Sequence, residues 1–541
     1  MKNIKFNSLE KYFFLLITGL NLIPILSGKF FPTFDGPAHL YNSQLINSLL
    51  LESNTLLGDF FSFNQEPVPN WTGHIILSFF NLFLPAFLSE KVLLLFYMIG
   101  LPLSFRALIK TISPNNYLFS YLIFPFTYSF VFFLGFYNFS IALIFILITL
   151  NYWVKHEESL SSMKNILKLF LFILLTYFSH IFVFGILIFL IVLHISIKAT
   201  IQIIANSNQI KNILVNSFQK LSVLLLSSFI PLLLFSFYFY SRPSSENHIF
   251  LTHTELIDWL KNIRPIIALN VIVEEVYTKK LFYLISSICV IALYNRVNAM
   301  QLNNIFSYRP KFLSIIKNTI TVSDVWLFAS LVILFLYFKL PDSDGSAGYV
   351  SVRLGLLFFL FLIIWFSTQN FQKWFSLLII TVVLYCNFKL NSYYITATND
   401  LNDVAKECNN ASEYILPNSI VLPINYSDNW LYAHFSNYLS VDKPMIILEN
   451  YECGTGYFPL KWNEASIPNT LLGSTPSNKL SCLQWKSNAQ NPTRPIDYVF
   501  VLGNMDAKAD SCNQEIKQIL SDNYSLTYHT DNCKLYQLKS N

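Results

Sequence analysis

The sequence predicts a polytopic α-helical membrane protein of 11–13 spans with a small extracytoplasmic α/β domain at its C-terminus. Of its 541 residues, 54% are hydrophobic and only 12% are charged, whereas soluble domains carry about 25% charged residues. Apolar runs approaching the roughly 20 residues that cross a bilayer recur through residues 1–390. From about Asn391 the chain turns polar, and residues 391–541 contain no further apolar run of that kind.

Candidate spans come from the apolar runs, and several of them are short. Short runs are typical of helices that end at mid-depth and line a cavity. The candidates are Tyr12–Gly28, His74–Ser89, Val92–Leu108, Tyr117–Phe133, Phe136–Val154, Leu167–Phe178, Ile181–Ile197, Leu221–Tyr240, Leu281–Tyr294, Val325–Leu340, Leu354–Phe366 and Phe375–Leu390.

Loop charges indicate the orientation, because cytoplasmic loops are enriched in Lys and Arg. The lysines before the first run indicate an uncleaved signal anchor with a cytoplasmic N-terminus. The basic loops Asn206–Lys220 and Asn295–Thr321 are predicted to be cytoplasmic, and the loop 31–72 external. The chain must then cross an odd number of times between this external loop and Lys211, yet six candidate runs lie between them. One run, in the uncharged stretch Thr111–Val154, is therefore predicted to be split, merged or re-entrant. The C-terminus is predicted to be external, and the protein to lie in the cytoplasmic (inner) membrane.

The external loop begins with FPTFDGPAHLYN, which contains Asp35 and His39. Ionisable groups at this depth are costly and are usually retained for a task. Gly36-Pro37 after the acid favours a turn, followed by an amphipathic helix Ala38–Leu51 at the membrane interface. Asp35 as the N-cap of that helix is an alternative.

His39 and four further residues are candidates for substrate binding. Glu66 and His74 precede the second apolar run, close to where the chain returns to the membrane, with solvated interfacial side chains as the alternative. Arg353 follows a Gly-rich external loop, and its guanidinium group is suited to phosphate; a snorkelling Arg at the interface is the alternative. His180 breaks a long apolar block at a turn and either lines a cavity or is a satisfied intramembrane residue.

The polar tail reads as strands and helices bounded by turn residues. Its five cysteines favour disulfides in an oxidising compartment, with Cys512–Cys533 as the favoured pair and five free thiols as the alternative. The expected strands are Ser419–Pro423, Pro444–Glu449, Asp497–Leu502 and a hairpin of Tyr524–His529 with Lys534–Leu538, and the expected helices are Asp403–Tyr414 and Gln514–Ser521.

Some partners and cofactors are disfavoured by the sequence. The net charge of +5 is spread over the loops, and no basic block or nucleic-acid motif is present, so nucleic acid is not an expected partner. No CxxC or His/Cys spacing of a structural zinc site occurs, so no residue is assigned as a metal ligand. Participation of a divalent cation is left open.

An N-terminal span, an external loop with an early acid, many further spans and an external tail together resemble the GT-C glycosyltransferases. Among these are the protein O-mannosyltransferases and the bacterial enzymes that add aminoarabinose to lipid A. DGPAH, the YFSH turn, the loop ending at Arg353 and the tail stretch ENYECGTGYFPLKW are similar to uncharacterised bacterial members. Many members carry two adjacent acids where this chain has Asp35-Gly36, so a second carboxylate or metal ligand is missing from the motif.

The resemblance implies transfer of a sugar from a polyprenyl-phosphate donor to a glycan, lipid or protein acceptor at the external face, with inversion. Asp35 would be the general base, Arg353 would neutralise the departing lipid phosphate, and the spans would hold the isoprenoid among membrane lipids. The alternative is a non-catalytic protein of envelope polysaccharide or glycolipid assembly, either a translocase or a scaffold. The few polar residues within the spans argue against a transporter.

Overall fold

The computed structural model describes residues 2–51, 55–160, 162–241, 248–299, 320–343, 348–466, 495–507 and 511–539. Most of these residues are helical. The α-helices are α1 Lys2–Leu20, α2 Ile23–Leu26, α3 Gly36–Leu51, α4 Thr55–Phe60, α5 Thr72–Asn81, α6 Ala86–Ile112, α7 Phe124–Thr127, α8 Phe130–Phe133, α9 Tyr137–His156, α10 Met163–Ser179, α11 Ile181–Ala205, α12 Ile210–Ser241, α13 His253–Lys261, α14 Val271–Ala299, α15 Val325–Lys339, α16 Val350–Ser367, α17 Lys373–Ala411, α18 Tyr451–Thr455 and α19 Ser511–Asn523. The strands are β1 Phe61–Phe63, β2 Ile420–Asn425, β3 Ile446–Ile447, β4 Leu460–Trp462, β5 Tyr498–Leu502, β6 Tyr524–His529 and β7 Cys533–Leu538.

The predicted membrane class is confirmed by eight helices that are long and apolar enough to cross a membrane, counted over the described residues alone. The total of 11–13 crossings stays a prediction. The eight segments are Ala86–Ile112, Tyr137–His156, Ile181–Ala205, Ile210–Ser241, Val271–Asn298, Val322–Lys339, Val350–Ser367 and Lys373–Tyr414.

Three of the predicted spans are not continuous helices. In the run Tyr12–Gly28, α1 ends at Leu20 and α2 begins at Ile23. In the run Tyr117–Phe133, α7 covers only Phe124–Thr127 and has Pro125 near its N-terminus. It ends before Tyr128, whose backbone leaves the helical region (φ −92°, ψ 63°). In the run His74–Ser89, α5 ends at Asn81, and the next helix begins only after Pro85. Proline lacks an N–H and disfavours helix in the residue before it, so an apolar run containing one is easily divided.

The chain forms two compact units that interleave along the sequence. Unit 1 comprises residues 1–22, 97–132 and 139–393, and unit 2 comprises residues 23–96, 133–138 and 394–541. The predicted division at residues 390 and 391 falls within α17, which runs without a break from Lys373 to Ala411. The described part of the predicted cytoplasmic loop Asn295–Thr321 is short, because residues 300–319 lie outside the described ranges.

Unit 1 contains most of the apolar helices and a buried ion pair. Arg106 of α6 donates to both carboxylate oxygens of Glu10, at 2.8 and 2.5 Å, and one of its nitrogens also lies 3.2 Å from the Ser120 hydroxyl. The guanidinium group also lies over the ring of Phe14. Because a buried charge is stable only when it is paired and hydrogen-bonded, this pair fixes how α1 packs against α6.

Unit 2 contains the predicted α/β domain of the tail. Its five-stranded sheet has the order β3-β2-β5-β7-β6, with β2 parallel to β3 and β5 and with β7 antiparallel to β5 and β6. The predicted hairpin is confirmed, and the first of its strands has the predicted bounds. A separate pair, β1 with β4, joins the loop 61–63 to residues 460–462 in antiparallel register.

The helix α3 contradicts the predicted interfacial helix over Ala38–Leu51. Most of its residues are buried, among them Leu40 and Ile46, while exposed leucines occur only at its C-terminal end. It packs within unit 2 against α5 and against a 3₁₀ helix, Trp430–Ser440. The predicted loop helix is therefore part of the core of unit 2.

The favoured disulfide Cys512–Cys533 is wrong. Cys512 is disulfide-bonded, whereas Cys533 is a free, buried thiol next to Cys408, which is also free. The sequence fails here because spacing along the chain carries no information on pairing. Cys453 is also a buried free thiol. The alternative prediction of free thiols is therefore correct for Cys408, Cys453 and Cys533.

Candidate functional site

The backbone around Asp35 is held by a short segment at residues 133–135. The N–H groups of Phe34 and Asp35 donate to the carbonyl oxygens of Phe133 and Leu134, at 2.9 and 3.1 Å. Gly135, with φ +73°, passes so close that a Cβ atom there would lie 2.7 Å from the backbone nitrogen of Asp35. A glycine is therefore required both by its positive φ and by the close approach.

Gly36 explains why the acidic motif has one acid. A Cβ on this residue would lie 2.4 Å from both the Thr33 hydroxyl and the Tyr137 hydroxyl. It would also lie 2.8 Å from the carboxylate of Glu90, which accepts from Tyr137 at 2.8 Å. A second acid at position 36 has no space, and the buried carboxylate of Glu90 lies beside that position instead.

Replacing Gly36 with alanine is expected to destabilise the protein by about 1–3 kcal/mol, because the added methyl group overpacks this turn. The measurement is the melting temperature of the purified protein in detergent. Gly454→Ala is the matched control, since a Cβ there meets nothing within 4 Å. Equal melting temperatures for the two variants would show that the turn tolerates a side chain.

The Asp35 carboxylate faces an imidazole that is itself backed by a second carboxylate. Nε2 of His434 lies 3.7 Å from Oδ1 of Asp35, and Nδ1 lies 2.6 Å from Oε1 of Glu449. Asn437 donates to the other oxygen of Glu449 at 2.7 Å. The distance of 3.7 Å is too long for a direct hydrogen bond, so His434 acts on Asp35 through its charge, and Glu449 fixes the ring.

Burial raises the pKa of Asp35 to about 6, because the surrounding protein disfavours the charged form. The charges of His434 and His39 and the hydroxyl of Tyr451 act in the opposite direction and limit the rise, while Glu452 adds to it. Burial would also lower the pKa of His434, but Glu449 outweighs it and the net shift is upward. The acid therefore changes protonation near neutral pH beside an imidazolium group.

A second buried cluster is formed by His39 and His74 on either side of Glu452. Nδ1 of His39 lies 2.6 Å from one oxygen of Glu452, and Nε2 of His74 lies 2.8 Å from the other. All three side chains are almost completely buried. Burial would raise the pKa of Glu452, but the charges of His74 and His39 outweigh it and lower the pKa to about 2. One donor atom from each residue lies within 4.8 Å of the others, a spacing that could hold a metal ion.

Asp35 directly precedes the helix α3, which carries His39 of the histidine cluster. The N–H of His39 donates to the carbonyl oxygen of Asp35 at 3.0 Å, so the two residues are one turn apart. One turn further on, Asn42 forms two reciprocal amide hydrogen bonds with Asn450, at 3.0 and 2.8 Å. Spacings of three and four residues lie on one helix face. This face of α3 therefore carries the polar residues that meet the tail.

The other predicted site residues lie apart from this cluster. Glu66 is 49% exposed and forms a surface ion pair with Lys461 at 3.3 Å, which agrees with the solvated alternative. His180 and Arg353 belong to unit 1. His180 contacts the ring of Phe139 edge-on at 5.2 Å, and the Arg353 guanidinium lies 5.7 Å from the same ring.

Sequence reasoning missed the partners of Asp35, His39 and His74. His434, Glu449 and Glu452 are more than 350 residues away from them along the chain. One sequence feature could have indicated these partners: the tail stretch ENYECGTGYFPLKW contains both Glu449 and Glu452. Histidine is also scarce, with nine in the chain, and three of them meet here.

Comparison with family models and with curated proteins assigns no role to this site. A scan against protein-family models and a search of the curated proteins both give no match to the chain. The functional interpretation therefore depends on the chemistry of the residues that unit 2 brings together.

Proposed function

We propose that the protein is a membrane glycosyltransferase in which Asp35 is the general base. The observation that carries the proposal is the placement of its carboxylate opposite His434, which Glu449 orients. A carboxylate with a pKa near the operating pH is suited to accept a proton from an acceptor hydroxyl. The hydroxyl oxygen then attacks the anomeric carbon of the sugar, the bond to the lipid phosphate breaks, and the polyprenyl phosphate leaves.

The groups around Asp35 favour the loss of its proton after each transfer. His434 lies 3.7 Å from the Asp35 carboxylate and is paired in turn with Glu449. Glu449 is 19% exposed, so its carboxylate reaches solvent. The imidazolium charge of His434 also favours the return of Asp35 to its ionised form.

Aromatic rings next to the acid support a sugar as the substrate. Phe34, which precedes Asp35, lies 5.6 Å from the ring of Trp430 and 4.9 Å from that of His434. Trp430 is 39% exposed. Rings that are apolar on their faces and partly exposed offer a rigid surface to the C–H face of a pyranose ring. This surface runs from solvent to the acid.

The donor and acceptor of this proposal come from the resemblance to the GT-C glycosyltransferases, and the topology comes from the loop charges. We propose a polyprenyl-phosphate sugar as donor, transfer at the external face of the cytoplasmic membrane, and an extracytoplasmic tail. The role of Arg353 in neutralising the departing phosphate stays a prediction.

Replacing Trp430 with alanine is expected to raise the KM for the sugar donor by about tenfold, because one stacking surface of about 1–1.5 kcal/mol is lost. The maximal rate should change little, since the acid and its partners remain. The measurement is the transfer rate in membrane vesicles as the donor concentration is varied. Trp430→Phe keeps an aromatic ring and should restore the KM; an unchanged KM in Trp430→Ala would contradict a sugar at this surface.

The direct test of the transferase compares cells whose only copy of the protein carries Asp35→Asn with cells that carry Asp428→Asn. Asp428 is an exposed acid of the same unit. Mass spectrometry of the envelope glycans and glycolipids should show a product that is lost in the first strain and retained in the second. Unchanged products at normal protein levels would reject the enzyme and favour the non-catalytic alternative.

A further inference from the structure

We infer that His39, His74 and Glu452 form a Zn²⁺ site in unit 2. The three side chains come from α3, α5 and α18, and their donor atoms converge within 4.8 Å of one another. Their neighbours leave little water at this point, since the side chains are 4% exposed or less. The inference does not depend on the proposed transferase activity.

In both His39 and His74, the ring nitrogen that faces away from Glu452 has the kind of partner seen in metal sites. Nε2 of His39 lies 2.9 Å from the carbonyl oxygen of Gly135, and Nδ1 of His74 lies 3.3 Å from that of Asn70. A carbonyl oxygen can only accept, so these nitrogens carry the hydrogen atoms. Histidines that bind metals almost always donate their second N–H to such an acceptor, which fixes the tautomer and the ring orientation.

A metal ion between the inner nitrogens, which face Glu452, and the carboxylate would satisfy all three groups. In neutral rings with these tautomers, Nδ1 of His39 and Nε2 of His74 present lone pairs to Glu452, and lone pairs repel a carboxylate. Full protonation of both rings would instead put two cations on one buried carboxylate, with ring centroids 5.1 Å apart. A metal ion removes both conflicts, because it accepts electron pairs from all three groups.

The contact between His39 and Glu452 also indicates a metal ion. Nδ1 of His39 and Oε1 of Glu452 are 2.6 Å apart, yet among the described residues neither atom has a hydrogen-bond partner of acceptable geometry. Two buried polar atoms that approach each other without a hydrogen bond are rare. A zinc ion bound by both atoms would widen their separation to about 3.3 Å, as in tetrahedral sites.

The donor set selects zinc and leaves one position open. Two imidazole nitrogens and one carboxylate are a common ligand set for Zn²⁺, with a water or substrate oxygen as the fourth ligand. The ring of Phe458 packs 5.7 Å from that of His39 and 5.6 Å from that of His74. This apolar cover lowers the local polarity, which strengthens the attraction between the ion and its ligands. The ion would link α3, the helix that follows Asp35, to the tail residue Glu452.

The test is the zinc content of the full-length protein purified in detergent. Wild type is expected to hold about one zinc per chain, and His74→Ala less than a tenth of that, because a three-ligand site does not survive loss of a ligand. His529→Ala, which alters an exposed histidine of β6, is the matched control and should keep its zinc.

A second measurement needs no variant and so does not depend on whether His74→Ala folds. Wild-type protein is treated with a chelator, dialysed, and titrated with ZnCl₂ while its melting temperature is followed. Zinc should raise the melting temperature with a stoichiometry of about one. Wild type with no more zinc than His74→Ala, and with no shift on added ZnCl₂, would overturn the site and leave a protonated histidine–glutamate cluster. Either result is independent of transfer activity.

Discussion

Asp35→Asn is expected to lower the rate of sugar transfer by about 10²–10⁴-fold, the usual contribution of a general base. Asparagine has the same shape as aspartate but cannot take a proton. The folded state should not suffer, because the raised pKa of Asp35 means that burial disfavours its charged form. Above pH 6 the ionised carboxylate therefore reduces stability, and the neutral amide removes this cost.

The combination of lost activity and retained or increased stability is the informative result. Transfer would be measured in membrane vesicles that contain the native lipid donor, and the melting temperature on the same protein in detergent. Asp428→Asn, at an exposed position, should change neither quantity. A variant at Asp35 that loses activity only together with its fold would assign the residue a structural role.

Glu452→Gln is expected to lower the free energy of unfolding by about 3–5 kcal/mol, which is typical when one partner of a buried ion pair is removed. The neutral amide cannot balance His39 and His74, whose side chains approach the carboxylate at 2.6 and 2.8 Å. Loss of the charge also weakens the inferred zinc site. The measurement is thermal unfolding in detergent, followed by intrinsic fluorescence.

Glu66→Gln is the matched control for this change. Glu66 lies in the same unit and also pairs with a cation, but at the surface. Exposed ion pairs contribute about 0–1 kcal/mol, so its variant should melt close to wild type. Equal destabilisation of the two variants would mean that Glu452 does not hold the histidines together.

Hydropathy and local pattern predicted the parts of the fold that are determined by residues close together in the sequence. The membrane class and the two hairpin strands Tyr524–His529 and Lys534–Leu538 follow from apolar runs and alternation, and both are present. The divided runs were not predicted, because hydropathy alone does not show where a helix is interrupted. New helices begin next to Pro85 and Pro125, within stretches whose hydropathy suggests one continuous span. The burial of α3 was missed because only tertiary packing brings it against α5 and the 3₁₀ helix Trp430–Ser440.

The site was predicted only where the motif is local. Asp35 and His39 are one turn apart, and His74 lies in the first turn of α5, just after the external loop, so all three could be chosen from one stretch of sequence. Glu452 and His434 reach them through tertiary packing of the tail. No periodicity or spacing records a contact over such a separation, although the scarcity of histidine in the chain was a usable signal.

The pH dependence of transfer by the wild-type protein tests the central claim most directly. Asp35 must be ionised to accept a proton, and its pKa of about 6 is set by burial together with His434, His39, Tyr451 and Glu452. The rate is therefore expected to rise about tenfold per pH unit below 6 and to level off above it. A rate that stays constant between pH 5 and 7, or that persists undiminished in Asp35→Asn, would contradict the assignment of this carboxylate as the base.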